Sequence, residues 1–392
     1  MHSVELFAGA GGLAIGMSNA GFSHAAVIEW DHDACETFRE NQRDNFQAVE
    51  KWPLFEGDVR EFDYSRLTNV VVVSGGPPCQ PFSLGGKHRG HLDTRDMFPQ
   101  AVRAVRELRP KAFIFENVKG LLRETFADYF EYIQLQLTHP SFTRRKSENW
   151  KEHRMRLEKH HTSLQGRTEY NVVFRLLNAA NYGVPQRRER VFLVGFRSDL
   201  GIEWSFPEGP YSEDNLLRSQ WVTEEYWDRH RIASRKRPRL DPRQATRVEK
   251  LRGDLPFDSD KLPWLTVRDA IADLPDPEKK LRSEIPNHAF NPGARIYKGH
   301  TGSPLDEPAK TLKAGDHGVP GGENMLARVD GTVRYFTVRE AARLQTFPDK
   351  YVFRGAWTEA MRQLGNAVPV RLAQTVAGSV AETLLKKSKD NR

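Results

Sequence analysis

The chain's hydrophobic pattern is clearest at Val70 to Val73, four consecutive valines closed by Ser74, Gly75, Gly76, Pro77 and Pro78. A β-branched run without polar alternation is the pattern of a strand covered on both faces, and Gly-Gly-Pro-Pro ends it at once. The same reading predicts strands at Ser3 to Phe7, Ala25 to Ile28, Lys111 to Phe115, Tyr170 to Leu177 and Val191 to Phe196, with a short one before Asp58. A glycine-rich turn from Ala8 to Gly12 leads into a helix reaching about Ala20, and a second helix runs from about Met97 to Leu108. Strands alternating with helices predict an α/β fold with a largely parallel sheet.

From about Gly201 this periodicity fades. Trp204, Trp221, Trp227 and Trp264, many prolines and a basic block from Arg229 to Arg252 mark a second, smaller lobe. A helix with an N-cap signature at Thr337, within Arg334 to Asp349, and an amphipathic helix from about Val370 to Leu385 bring the chain back. The expected division is 1–200 for the first domain, 201–330 for the second lobe and 331–392 for a returning segment. The stretch 141–167 is rich in Arg, Lys and His and reads as a helical insertion with a solvated charged face, and the tail KKSKDNR is expected to lack structure.

With 392 residues, 38% of them hydrophobic, the chain can bury one large core and a smaller one. The formal charge of +7 favours an anionic partner. Two cysteines, no basic-then-apolar leader and no run long enough to span a bilayer argue against a disulfide framework or a membrane anchor. A cytoplasmic or nucleoid setting is expected.

Gly9, Gly11 and Ala14 match the G-x-G-x-x-G/A pattern, and Glu29 ends the next apolar run at the spacing of a ribose-binding acid. The pattern alone leaves nicotinamide, flavin and adenosyl cofactors open. Trp30 offers a flat face and Asp58 a further acid, the plain alternatives being a core aromatic and a helix cap. Cys79 follows the valine strand directly, at the edge where open α/β sheets bind ligands, although most lone cysteines are simply buried small hydrophobes. The loop beyond it carries Lys87, His88, Arg89 and Arg95 among Gly85, Gly86 and Gly90, suited to closing on phosphates or equally to being a solvated loop. Glu116 ends the strand AFIFEN at the same edge, where partial desolvation raises a carboxyl pKa and suits it to holding a proton. In QRRER, alternate residues of an extended segment share a face, so Arg188 and Arg190 are expected to point the same way, toward an anion or a carbonyl oxygen.

ELFAGAGG, SGGPPCQPFS, FENVKG, QRRER, REAARLQTFP and GNAVP occur in the order found in the cytosine-5 DNA methyltransferases, and over about 1–200 and 330–385 the chain resembles that family, in its bacterial restriction-modification form. The resemblance implies a Rossmann-like S-adenosylmethionine-dependent sheet with a smaller target-recognition domain, no metal, double-stranded DNA as substrate, a separately acting restriction endonuclease, and a monomer. By resemblance, Cys79 adds to C6 of a flipped-out cytosine, Glu116 binds its N3 and N4 edge, and Arg190 with Arg188 meets the O2 side. Phe7, Gly9, Gly11, Glu29, Trp30, Asp58, Val59, Asn366 and Ala367 are the implied cofactor residues, and Ser83, Lys87, Arg89 and Arg95 the implied DNA contacts. Two features depart from the family: the long insertion at 141–167, and Gly85 and Gly86 where a hydroxyl-bearing residue is often found. A tRNA cytosine-5 methyltransferase on the same fold is the nearer alternative, which the large Trp-rich lobe and the residues after Pro-Cys disfavour. A non-catalytic DNA-binding relative or a nicotinamide oxidoreductase is the further one, against which Cys79 and Glu116 weigh.

Overall fold

The computed structural model describes residues 1–78, 96–163, 168–253, 260–279, 284–314 and 324–390. The chain divides into two compact units, one made of Met1–Leu177, Glu189–Pro207 and Ala373–Arg392, the other of Asn178–Arg188 and Glu208–Leu372.

In the first unit the chain runs through β1 (His2–Leu6), α1 (Gly12–Asn19), β2 (Ser23–Glu29), α2 (His32–Arg43), β3 (Leu54–Glu56), β4 (Val70–Gly75), α3 (Phe98–Leu108), β5 (Ala112–Val118), α4 (Ala127–Thr138), α5 (Trp150–Ser163), β6 (Tyr170–Asn178) and β7 (Glu189–Arg197). The strands form one seven-stranded sheet in the order β3-β2-β1-β4-β5-β7-β6. β1 pairs in parallel with β2 and β4, β2 with β3, and β4 with β5, so their carboxyl ends share one edge. β7 runs antiparallel to β5, with Val118 opposite Arg190, and so brings its first residues to that same edge. Val73, Phe113, Phe115, Val191 and Leu193 fill a core shared with Phe98, Tyr129 and Ile133 of the covering helices. Gly75 is needed where β4 passes β1, since a Cβ there would lie 2.4 Å from the Leu6 carbonyl oxygen.

The insertion is helical, as its composition predicts. Two of its arginines are held in ion pairs: Arg154 meets Asp128, Glu131 and Glu158, and Arg156 meets Glu148.

The second unit contains β8 (Tyr211–Ser212), α6 (Glu213–Trp221), α7 (Glu225–Arg229), α8 (Pro242–Arg252), β9 (Leu262–Pro263), α9 (Val267–Ile271), β10 (Ser303–Pro304), β11 (Met325–Ala327), β12 (Val333–Tyr335), α10 (Val338–Leu344) and α11 (Trp357–Asn366). Three of the four tryptophans that mark the lobe in the sequence, Trp221, Trp227 and Trp264, pack with Leu216 and Tyr226 into its core. The Thr337 cap closes into a reciprocal box with Glu340, and Arg334 pairs with Glu340 at 2.6 Å in a buried setting.

Three points differ from the sequence expectation. Residues 178–188, expected in the first domain, cluster with the second unit. Residues 331–372, expected to return to the first domain, cluster with the second unit, where α10 packs on α9 and α11. The tail is helical through Asp390, because α12 (Val370–Asp390) continues past its buried turns and each added residue gains a hydrogen bond without a new nucleus.

Candidate active site

At the β1 end the backbone turns sharply, with Phe7 at φ 55, Gly9 at φ 53 and Gly11 at φ 83, before α1 begins at Gly12. Glu29, at the end of β2, anchors this turn from the side. Its Oε2 accepts from Gly9 N at 2.6 Å, and its Oε1 accepts from Trp30 N at 2.9 Å and Asp31 N at 2.8 Å. Burial pushes the Glu29 carboxyl above its ordinary range, while the three amides oppose that shift. Trp30 is 75% exposed, so its indole is a free flat face rather than a core aromatic. A Cβ built on Gly9 would meet nothing within 4 Å, which leaves open space above the turn.

Asp58 performs the plainer role weighed for it, capping the short turn Val59–Glu61 by accepting from Arg60 N at 2.9 Å. It also forms an ion pair with the Arg60 side chain, which holds its carboxyl below the usual range. Val59 is packed into the core.

The described part of the β4 loop ends at Pro78, so Cys79, Ser83, Lys87, Arg89 and Arg95 lie outside the described residues. What holds both ends of that loop is visible. Asn117 Nδ2 donates to the Pro77 carbonyl at 2.9 Å, and Met97 N donates to the Pro78 carbonyl at 3.3 Å. Cys35, the other cysteine, is fully buried in α2, and burial pushes its thiol up to about 12. Such a group is inert as a nucleophile.

Beside the loop, Arg190 Nε pairs with Glu116 Oε1 at 2.8 Å, both side chains nearly buried. Burial pulls the guanidinium below its ordinary range, and the Glu116 charge opposes this. Gly76 leaves room over the carboxylate, since a Cβ there would sit 3.4 Å from Glu116 Oε2.

Arg188 corrects the expectation that it shares a face and a role with Arg190. It precedes the strand, which begins at Glu189, so the alternation argument does not reach it. Its fully buried guanidinium donates to three carbonyls, Leu312 O at 2.9 Å, Gly365 O at 2.6 Å and Ala367 O at 2.8 Å. It is a positioning residue within the second unit. Asn366 and Ala367, expected near the cofactor, stand at the end of α11 in the segment that Arg188 holds. Gly365 is required there, as a Cβ would lie 2.2 Å from Ala314 N.

Sequence reasoning passed over Glu5 and did not foresee the contact of Asn117. Glu5 lies in β1, fully buried, and accepts a hydrogen bond from the Ser74 hydroxyl of β4. Burial pushes its carboxyl up to about 8. The available signal was a carboxylate inside an otherwise apolar strand.

This sheet, glycine turn and buried carboxylate–guanidinium pair agree with the comparisons, in which the model of the C-5 cytosine-specific DNA methylase family matches residues 1–142 and 150–382. The chain belongs to that family and is a DNA cytosine-5 methyltransferase. It is 32% identical to the Type II methyltransferase M.Eco47II of Escherichia coli, over 98% of this chain and 80% of that protein. It is 31% identical to the Type II methyltransferase M.NgoMIV of Neisseria gonorrhoeae, over 98% and 99%. Its fold is similar to that of the S. pombe Dnmt2 methyltransferase, with TM-score 0.54 and 15% identity over 98% of this chain and 99% of that one. Among the described residues no helix is long and apolar enough to cross a membrane.

Proposed function

We propose that this methyltransferase takes its methyl group from S-adenosylmethionine and acts on a cytosine turned out of duplex DNA, through a transient bond from Cys79 Sγ to C6 of the ring. The observation that carries this reading is the buried Glu116–Arg190 pair at the edge where Asn117 clamps Pro77, two residues before Cys79. Desolvating two charges is costly and a buried pair is by itself weak support for stability, so a planar heterocycle with donor and acceptor edges gives the pair a use.

C5 of cytosine is a poor nucleophile. Attack of the Cys79 thiolate on C6 opens the C5–C6 double bond and leaves its electron pair at C5. Glu116 holds the N3 and N4 edge and keeps a proton at N3, which draws electrons from C6, while Arg190 orients Glu116 and meets the O2 side. Once C5 carries its methyl group, loss of the C5 proton to a base restores the double bond and expels the thiolate. Cysteine suits both steps because its thiolate adds strongly and also leaves readily. Since C6 is inaccessible within a stacked duplex, the base must be extruded, and contacts in the pocket offset the unstacking.

S-adenosylmethionine supplies an electrophilic methyl group when bound. The residues fit it: the open space over Gly9, the free indole of Trp30 and the anchored carboxylate of Glu29 suit an adenosyl group, with Phe7, Gly11, Asp58 and Val59 around it. Similarity to proteins named Type II methyltransferases supports a place beside a separately acting restriction endonuclease.

Duplex DNA with 5-fluorocytosine at the target tests the mechanism. Fluorine cannot leave as a proton, so the enzyme should stay covalently bound through denaturation, and Cys79→Ser should abolish both adduct and turnover while retaining DNA binding. An adduct in the Cys79→Ser protein, or methylation of tRNA but never of duplex DNA, would overturn the reading.

A further inference from the structure

From Ile285 to Leu305 the chain carries no aspartate or glutamate, and within this stretch of the second unit lies a small, well-braced hairpin. His300 N donates to Tyr297 O at 2.8 Å and Tyr297 N donates to His300 O at 3.3 Å. Lys298 and Gly299 therefore form a two-residue turn, with Gly299 at φ 83 in the left-handed region such a turn needs. The Tyr297 ring lies against the His300 imidazole, centroids 4.4 Å apart with 30° between planes, which stiffens the tip.

The root is fixed as well. Lys310 donates through Nζ to Thr301 Oγ1 at 2.7 Å and through its backbone N to Ser303 Oγ at 3.0 Å. Ser303 and Pro304 then enter a three-stranded sheet of β10, β11 and β12, beside Leu326 and Ala327. At Gly302, with φ 76, a Cβ would lie 3.1 Å from the Met325 carbonyl, so the chain leaves the sheet closely packed.

What this braced tip presents to solvent is unusual for a surface turn. Ile296 is 52% exposed and Tyr297 44%, and they stand between exposed Arg295 and Lys298. Ordering a hairpin to display two large apolar side chains between two cations gives little to the free protein. The chemistry matches an anionic partner that also offers apolar edges. Duplex DNA is such a partner: its phosphates attract the cations, its thymine methyls take aliphatic contacts, and its major groove admits a two-stranded ribbon.

We propose that the hairpin Arg295 to His300 is a sequence-reading element that enters the major groove, with Ile296 and Lys298 meeting base edges and Arg295 holding a phosphate. Lys298 leads the turn at the tip, Ile296 stands beside the bridged Tyr297, and Arg295 lies one residue nearer the root. The proposal rests on the duplex-DNA reading above.

The test uses the full chain and a set of duplexes that differ by single base pairs from its methylated site, the site itself being read by sequencing modified DNA. Ile296→Ala and Lys298→Ala should each reduce discrimination against at least one single-pair variant by about tenfold, with S-adenosylmethionine affinity and thermal midpoint unchanged. Arg295→Ala should weaken all sequences alike and lower the salt-dependence slope by about 1. Unchanged discrimination in both tip variants, with a wild-type protein that does form the 5-fluorocytosine adduct, would overturn the hairpin assignment alone. A wild-type protein that forms no adduct with any duplex would overturn both this assignment and the duplex-DNA reading.

Discussion

The side-chain amide of Asn117 donates to the backbone carbonyl of Pro77 at 2.9 Å, tying the end of β5 to the loop that leaves β4. Through this one bond, the residue next to Glu116 fixes the backbone two positions before Cys79. Asn117→Ala should therefore slow adduct formation with 5-fluorocytosine DNA by about tenfold or more, since it leaves a buried carbonyl unpaired at a cost of about 1–3 kcal/mol. Single-turnover trapping rates check this, and a rate equal to wild type would reject the link.

Glu116→Gln should slow trapping while leaving the nucleophile in place. Because it also leaves Arg190 buried without its counter-charge, stability should fall by about 3–5 kcal/mol at most. Replacing both residues, Glu116→Gln with Arg190→Met, should recover part of that stability but none of the rate. Denaturant titration alongside trapping separates the two effects.

Glu5 gives a pH dependence of defined sign. Its carboxyl lies at about 8 in the folded protein against an ordinary 4.5. Between these values the folded state keeps a proton that the unfolded chain has released, so the stabilisation this proton confers is full below 4.5 and is lost as pH rises toward 8. Glu5→Gln, which retains an acceptor for Ser74, should flatten this part of the stability curve. Melting midpoints from pH 5 to 9 decide it, and equal slopes in both proteins would sink the assignment.

Arg188→Met should destabilise by about 3 kcal/mol or more, because three buried carbonyls lose their donor together. Arg188→Lys should rescue little, as one ammonium cannot reproduce the planar fork. Chemical denaturation of the full chain measures both.

Glu29→Gln should weaken S-adenosylmethionine binding by about tenfold, or 1.4 kcal/mol, while DNA affinity in the absence of cofactor stays similar. The amide that replaces one carboxylate oxygen would face the backbone N–H donors that Glu29 now accepts. Isothermal calorimetry reads the loss directly.

Local chemistry was the legible part of the sequence. Val70 to Val73 followed by Gly-Gly-Pro-Pro, the turn at Gly9 and Gly11, and the Thr337 cap each depend on a few adjacent residues, and each has the expected form. The pairing of Glu116 with Arg190 depends on an antiparallel neighbour drawn from far along the chain, and residue spacing does not encode it. Arg188 was misread because extended geometry was assumed at the residue just before the strand starts. The second lobe was visible in its tryptophans, but composition does not say which core a helix joins, so 331–372 was assigned to the wrong partner. The tail shows the same limit, since helix propagation from a buried turn outweighs the polarity of the residues added.

The carbonyl cradle of Arg188 bears on which parts of the second unit can be exchanged between relatives. Its donor precedes the second unit's main segment, and its acceptors at Leu312, Gly365 and Ala367 all come after position 311. A recombination that exchanges a segment lying between Glu208 and Leu312 leaves donor and acceptors on the same parent, whereas a crossover between 312 and 365 matches the arginine of one lineage to carbonyls of two. Exchange between relatives should therefore be tolerated as a cassette that ends before Leu312, and chimeras joined between 312 and 365 should fold less often.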